Sequence, residues 1–253
     1  MSTPVKTTID GARGVTMRTT IYERVMRRLL SEEESALGKV TGLGALVVRD
    51  GEMKRAYLYD TNALIDYLRY GDEFIDVPHE MKPLAYRQEM TVVAVNRIVK
   101  GYIAVWNQTK CHGADIVAFS VGPGFGKEVY GMGYALSKNG LLTSDRGSVS
   151  GSARQAWKKV ADSGRKRHKF DDELSPQTPP KEDDCSVFHD EHKEHLNYAY
   201  EAEGWERDML RYLEAQHEAT MKELSDIPNV RNEVKDLISS VARNEFWSRH
   251  YHG

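Results

Sequence analysis

Residues Ala114–Ser137 read ADIVAFSVGPGFGKEVYGMGYALS. Ile116 to Val121 is a short apolar run rich in β-branched and aromatic side chains, the length of a buried strand. It breaks at Gly122-Pro123-Gly124-Phe125-Gly126 and resumes from about Lys127 as a small-residue pattern with helical spacing. A strand that turns through glycines into a helix leaves the first amides of that helix without backbone partners. With the helix dipole, such amides form a natural site for an anion or a phosphate. The plainer reading is a tight turn whose glycines serve backbone geometry alone.

On either side the chain alternates strands and helices. Leu43–Val48 predicts a strand, Arg49-Asp50-Gly51-Glu52 a turn, and Arg55–Tyr59 its partner, so the stretch reads as a hairpin. Asn62–Tyr70 has apolar residues at helical spacing, and Asp60, Thr61 or Asn62 can cap it. Met90–Val95 and Gly101–Trp106 are β-rich, and Leu141–Thr143 predicts a short strand after the glycine helix. Ser148 or Ser150 can cap a helix running through Lys159, with Val149, Ala153, Ala156, Trp157 and Val160 apolar. Near the beginning, residues 1–20 read as an extended arm, and Ile21–Leu30 has one apolar helical face. Residues 21–163 therefore predict one α/β (α+β) domain.

The stretch 164–195 differs in kind. Arg154–Lys169 carries seven Lys and Arg against Asp162 alone, whereas Asp171–Asp184 carries six acids against Lys181, around Pro176, Pro179 and Pro180. That reversal predicts an irregular connector, and the two runs can pair with each other. The basic run 154–169 can also meet phosphates, of nucleic acid or of a cofactor. Residues 196–253 predict a helical region with two apolar stripes, one from Trp205 to Leu213 and one from Val230 to Val241, divided by Pro228. Helices this short need packing partners: each other, the first domain or another protein.

Composition sets the class. The chain has 253 residues, of which 40% are hydrophobic and 29% charged, ordinary proportions for a globular protein with a sizeable core. No apolar run reaches the roughly 18–20 residues that span a bilayer, and MSTPVKTTIDGARG lacks the apolar core of a secretory signal. The net charge of −3 gives no global argument for nucleic-acid binding. Two cysteines, Cys111 and Cys185, lie far apart without metal spacing. The expectation is reduced thiols in a cytoplasmic protein that has no membrane contact.

Other clusters read as ordinary surface. His189, His192 and His195 are spaced by three, but the charged residues between them point to a solvated face, so no metal is expected. Cys111-His112 reads as a turn between strands, since neighbours in a chain rarely form a nucleophile and its base. Ser148, Ser150 and Ser152 lack a nucleophile-elbow pattern and favour capping.

The segment from Lys100 to Val160 resembles the GNAT acetyltransferase superfamily. Members carry a Gly-Tyr-Ile-like strand, matched by Gly101-Tyr102-Ile103-Ala104, then a strand ending near Val-x-Pro, matched by Val121-Gly122-Pro123. An Arg/Gln-x-x-Gly-x-Gly/Ala loop and helix follow, matched by Glu128-Val129-Tyr130-Gly131-Met132-Gly133, or in an alternative alignment by Gly124-Phe125-Gly126-Lys127. A strand and an Ala-x-x-x-Tyr helix come next, matched by Leu141–Thr143 and by Ala153-Arg154-Gln155-Ala156-Trp157. The stretch Gly140–Val160, with Thr178–Cys185 and Leu196–Tyr200, is also similar to acetyltransferase-like proteins of tailed phages.

The resemblance implies a mixed central sheet flanked by helices, with a C-terminal helical appendage, and acetyl-coenzyme A as the cofactor. It implies transfer of an acyl group to an amine acceptor by direct attack. Val121, Gly124, Phe125, Gly126, Lys127, Gly131 and Gly133 would then hold the pyrophosphate, with Glu128, Tyr130 and Asp145 as catalytic candidates. Two departures carry chemistry. Glu128 stands where the family has Arg or Gln, placing negative charge beside a phosphate cradle. Trp157 stands where many members have the tyrosine that protonates the leaving thiolate, and an indole is no general acid near neutral pH. The phage similarity implies a second reading, a virion or assembly protein that docks other virion proteins through residues 196–253. A third reading is a DNA-binding or DNA-modifying protein of the same fold.

Overall fold

In a computed structural model, which describes residues 40–70, 97–108, 110–147, 149–174, 177 and 183–244, the Asp50-Gly51 turn closes the expected hairpin. Strand β1 (Leu43–Asp50) pairs antiparallel with β2 (Met53–Asp60), Asp50 opposite Met53, leaving Gly51-Glu52 as the loop. Gly51 takes a φ of +57°, the left-handed conformation that the tight loop requires and a side chain would resist. Helix α1 (Thr61–Tyr70) follows directly, capped as expected by Asp60, whose Oδ1 accepts from the Ala63 amide at 3.0 Å. The readings for residues 1–20, Ile21–Leu30 and Met90–Val95 fall outside the described residues.

Strand β3 (Val99–Trp106) pairs antiparallel with β2 on one side and with β4 (Asp115–Val121) on the other. Helix α2 (Gly126–Leu136) then crosses over to β5 (Leu141–Ser144), which runs parallel to β4. A parallel pair needs such a crossover, and the glycines of α2 let it lie close. A Cβ on Gly133 would sit 2.6 Å from Ile103 Cδ1 and 3.2 Å from Leu142 Cδ2. Helix α3 (Gly151–Asp162) begins at Ser150, whose Oγ accepts from the Ala153 amide at 3.2 Å. Of the two serines proposed as its cap, Ser150 fills the role.

The connector contributes to the sheet. Residues 164–195 supply β6 (Arg167–Lys169), the parallel two-stranded pair β7 (Asp171–Asp172) and β8 (Asp184–Cys185), and a 3₁₀ turn at Glu191–Leu196. Next, β9 (Tyr198–Glu201) inserts between β5 and β6. The completed sheet has seven strands in the order β1-β2-β3-β4-β5-β9-β6, and every neighbouring pair but β4–β5 is antiparallel. The architecture is mixed α/β. Within the region read as helical, Tyr198–Glu201 is thus an inner strand of the sheet.

Helices α4 (Trp205–Glu223) and α5 (Val230–Asn244) follow the two predicted stripes. Tyr57, Tyr59, Leu64, Ile98, Met221 and Leu224 join Val234 and Ile238 in one core, each almost wholly buried. Each buried aliphatic side chain contributes roughly 1.5–3 kcal/mol over leaving it exposed, enough to hold helices that would not persist alone. The α2–α4 seam is equally close: a Cβ on Gly131 would meet Met209 and Trp205 at 2.9 Å. A buried ion pair between Arg165 and Glu206, the latter wholly inaccessible, ties the α3–β6 connection to the start of α4.

The cysteines correct an expectation. Cys111 and Cys185, 74 residues apart, form a disulfide with their Cα atoms 4.9 Å apart. Spacing along the chain gave no hint, because β8 is brought back beside the 3₁₀ turn at Cys111–Gly113 only by the fold. Around the bond lie Ala114, Phe170 and Ala199, a small second core. No helix among the described residues is long and apolar enough to cross a membrane.

Candidate functional site

The site predicted at the glycine turn is built from the far end of β4. Only Asp115, Ile116 and Val117 pair with β5, at Leu142, Thr143 and Ser144, although β4 continues to Val121. Beyond Val117 and Ser144 the two parallel strands part. On that side the Ala118–Val121 backbone has no strand partner among the described residues, while its other side remains paired to β3 at Tyr102, Ile103 and Ala104.

The chain leaves this open half through a β-turn. The Phe125 amide donates to Gly122 O at 2.8 Å, Pro123 occupies the first central position, and Gly124 the second with φ +78°. Those are the residues that a type II turn demands. Helix α2 starts immediately, and its first intrahelical bond from this end runs from the Val129 amide to Phe125 O, at 2.9 Å. The amides of Gly126, Lys127 and Glu128 therefore precede the helix's own ladder, and no side chain caps them. A Cβ built on Gly124 or on Gly126 meets nothing within 4 Å, so neither glycine is pressed against another element.

The predicted site residues divide on this geometry. Gly124, Phe125, Gly126 and Lys127 surround the exposed helix start. Val121 ends the strand that leads to it. Gly131 and Gly133 lie deeper in α2, where their amides belong to the helix ladder, and their missing Cβ atoms admit Trp205, Met209, Ile103 and Leu142. Lys127 is exposed, with its Nζ 5.1 Å from the centre of the Trp205 ring. Glu128 is 3% exposed, so its side chain is buried at the start of α2.

Tyr130 and Asp145 border the opening. The Tyr130 hydroxyl accepts a hydrogen bond from Ser120 Oγ at 3.3 Å, which places it against the unpaired half of β4. Its ring meets Trp157 edge-on, with centroids 5.4 Å apart and planes at 87°. Burial pushes its pKa up, and the hydrogen bond from Ser120 opposes that only in part. Asp145 follows Ser144 directly and stands on the β5 side, its Oδ1 accepting from the Gly147 amide at 2.8 Å. Trp157 is buried and stacks on Tyr200, centroids 5.7 Å apart.

Sequence reasoning missed Arg146. Its guanidinium lies between the rings of Phe170 and Phe188, at 5.1 and 4.8 Å. It donates to Ser186 O at 3.0 and 2.7 Å, to Asn197 Oδ1 at 3.2 Å and to Ser144 Oγ at 3.2 Å. Burial lowers its pKa to about 10, so it stays charged at neutral pH. It clips the segment before β9 onto the end of β5, beside Asp145, and thereby fixes one wall of the opening. Residues far apart in sequence make these contacts, and no motif announces them.

The remaining clusters do not converge on chemistry. His189 pairs with Asp172 at 3.5 Å, whereas His195 bonds Arg154 O at 3.1 Å, so the spaced histidines serve different neighbours. Asp171, Asp183 and Asp184 bring carboxylate oxygens within 4.8 Å of one another, a grouping common on surfaces without an ion. An open cleft of about 750 Å³ between α4 and α5 is lined by Met221, Ile227 and Val230 and rimmed by Glu218 and Arg231, and contains none of the predicted site residues. A scan against protein-family models, a search of curated proteins and a search of solved structures each returned no match.

Proposed function

We propose that the chain is an acyl-coenzyme A-dependent N-acyltransferase with a GNAT-like arrangement around β4, α2 and β5. The observation that carries this reading is the open half of β4 leading into a capless helix start. One edge of strand backbone and the helix start at Gly126, which no side chain caps, border the same opening. A diphosphate fits the amides and the helix dipole, and neither Gly124 nor Gly126 is pressed against another element there. The elements occur in the order that the resemblance implies: β3 with Gly101–Ala104, β4 up to Val121-Gly122-Pro123, α2, β5 and α3.

In this reading Tyr130 takes over the proton donation that Trp157 cannot perform. The substrate amine attacks the thioester carbonyl, a C–N bond forms and the C–S bond breaks. The departing thiolate takes the phenolic proton of Tyr130. A phenol holds its proton at neutral pH, and because the Tyr130 hydroxyl accepts from Ser120, its own O–H is the donor turned to the sulfur; burial, which raises its pKa, works against that release. Asp145, on the β5 side of the opening, accepts the proton that the amine sheds, directly or through water. Isothermal titration of the purified chain with acetyl-coenzyme A tests the reading. Saturable binding with a micromolar-scale constant is expected, and no heat at any ligand concentration overturns it.

A further inference from the structure

The basic run ending at Lys169 is divided by the fold into paired and unpaired charges. Arg165 is taken up by Glu206 and Glu203, and Lys166 by Glu201 at 2.6 Å. None of these three partners comes from the acidic run 171–184. Arg154, Lys158, Lys159, Arg167 and Lys169 are all exposed, and among the described residues none has a carboxylate at ion-pair distance. Elsewhere cations such as Lys54, Lys100, Lys110 and Arg231 each have one. Glu191 and Glu194 lie in the 3₁₀ turn that rests on α3 through the His195–Arg154 O bond, and neither takes one of these cations.

The sheet brings the unpaired charges to one side. Trp157 of α3 stacks on Tyr200 of β9, which defines the face on which α3 lies. Arg167 is directly opposite Tyr200 in the register, and Lys169 directly opposite Tyr198. Cross-strand partners point to the same face, so Arg167 and Lys169 leave the edge strand on the side where α3 packs. On α3 itself Arg154 and Lys158 are four residues apart and share a flank, with Lys159 on the helix crown opposite the buried Trp157. The Arg167 guanidinium also lies 4.4 Å from the centre of the Tyr198 ring, so a half-buried aromatic sits among the cations.

We infer that this face, the outer side of α3 with the β6 edge, is a docking surface for the phosphate backbone of a nucleic acid. A row of unneutralised Arg and Lys side chains on a rigid helix and edge strand suits regularly spaced phosphates. The interleaved tyrosine offers a ring on which a base can stack. This inference does not depend on the acyltransferase reading, since none of its residues belongs to the opening between β4 and β5.

Fluorescence anisotropy of the full chain with a labelled single strand of ~20 nucleotides tests it. Binding at about 50 mM salt is expected to weaken steeply by about 200 mM, with a logarithmic slope of about −3. The double variants K158E/K159E and R167E/K169E should each weaken binding about tenfold or more and flatten that slope. The charge-matched variant K222E/K235E, at exposed sites elsewhere, should leave it unchanged, and far-ultraviolet circular dichroism checks that all three fold. Absence of binding at low salt, or equal losses from all three variants, overturns the inference. Vesicles of phosphatidylglycerol that compete as well as the oligonucleotide overturn its assignment to nucleic acid.

Discussion

Tyr130 stands edge-on to Trp157, ring centroids 5.4 Å apart, with its hydroxyl held by Ser120 against the open half of β4. In the proposed acyltransferase, Tyr130 of α2 would supply the phenol that Trp157 of α3 cannot. The Tyr130→Phe variant removes one oxygen and keeps the ring against Trp157, so the fold should persist. Loss of a proton donor that acts in the transition state lowers kcat by about 100-fold with KM for acetyl-coenzyme A little changed. Steady-state kinetics over a panel of amines checks this. An unchanged kcat removes Tyr130 from the chemistry.

Gly126 separates binding from folding. A side chain there meets nothing within 4 Å, and a carboxylate in the first turn of α2 interacts favourably with the helix dipole by about 0.3–1 kcal/mol. The same carboxylate repels a diphosphate seated on the amides. Gly126→Glu should therefore leave the melting temperature level or slightly raised while weakening acetyl-coenzyme A binding about tenfold or more. Titration calorimetry and thermal melts on one preparation report both quantities. Undiminished affinity would place the ligand elsewhere.

The sequence readings succeeded where the signal is local. The Asp50-Gly51 hairpin, the Asp60 and Ser150 caps and the helix after the glycine turn each depend on a few adjacent residues, and each was legible. The strands β6 and β9 were not, because Arg167–Lys169 and Tyr198–Glu201 are too short to show alternation, and they become strands by pairing, β6 with β9 and β9 also with β5. At the site, the turn and the exposed amides could be read from the glycines. The close packing that Gly131 and Gly133 permit against Trp205, Met209, Ile103 and Leu142 was not legible, because only tertiary packing brings those side chains near. The Tyr130–Trp157 contact and the Arg146 clip likewise have no local signature.

The disulfide makes a claim about stability. Closing a loop with a sequence separation of 74 restricts the unfolded chain, which on the chain-entropy model is worth up to about 4 kcal/mol. Cys185→Ser should lower the unfolding free energy by about 2–4 kcal/mol in urea, and a reductant should lower the wild type by a similar amount while leaving the variant unchanged. Thiol titration of the denatured wild type should find no free thiol before reduction, because the chain has only two cysteines and both are paired. Two reactive thiols in protein purified without reductant contradict the pairing.

His217 sets a pH limit on the α4–sheet contact. Its Nδ1 is 2.7 Å from the hydroxyl of Tyr59, a residue wholly inaccessible in β2, and burial lowers its pKa below the ordinary 6.5. Glu218 opposes that shift, whereas Arg231 adds to it. Because the native imidazole resists protonation, the unfolded chain binds more protons once the pH falls below about 6.5, and stability must then decline. The decline runs from the unfolded value down to the lower native one and levels off below it. Above about pH 7 this group contributes no slope. His217→Gln keeps a side chain able to bond the Tyr59 hydroxyl but cannot titrate, so the difference in urea stability between wild type and variant should shrink as pH falls through that window. A difference that stays constant from pH 7 to pH 5 would show that His217 titrates alike in both states.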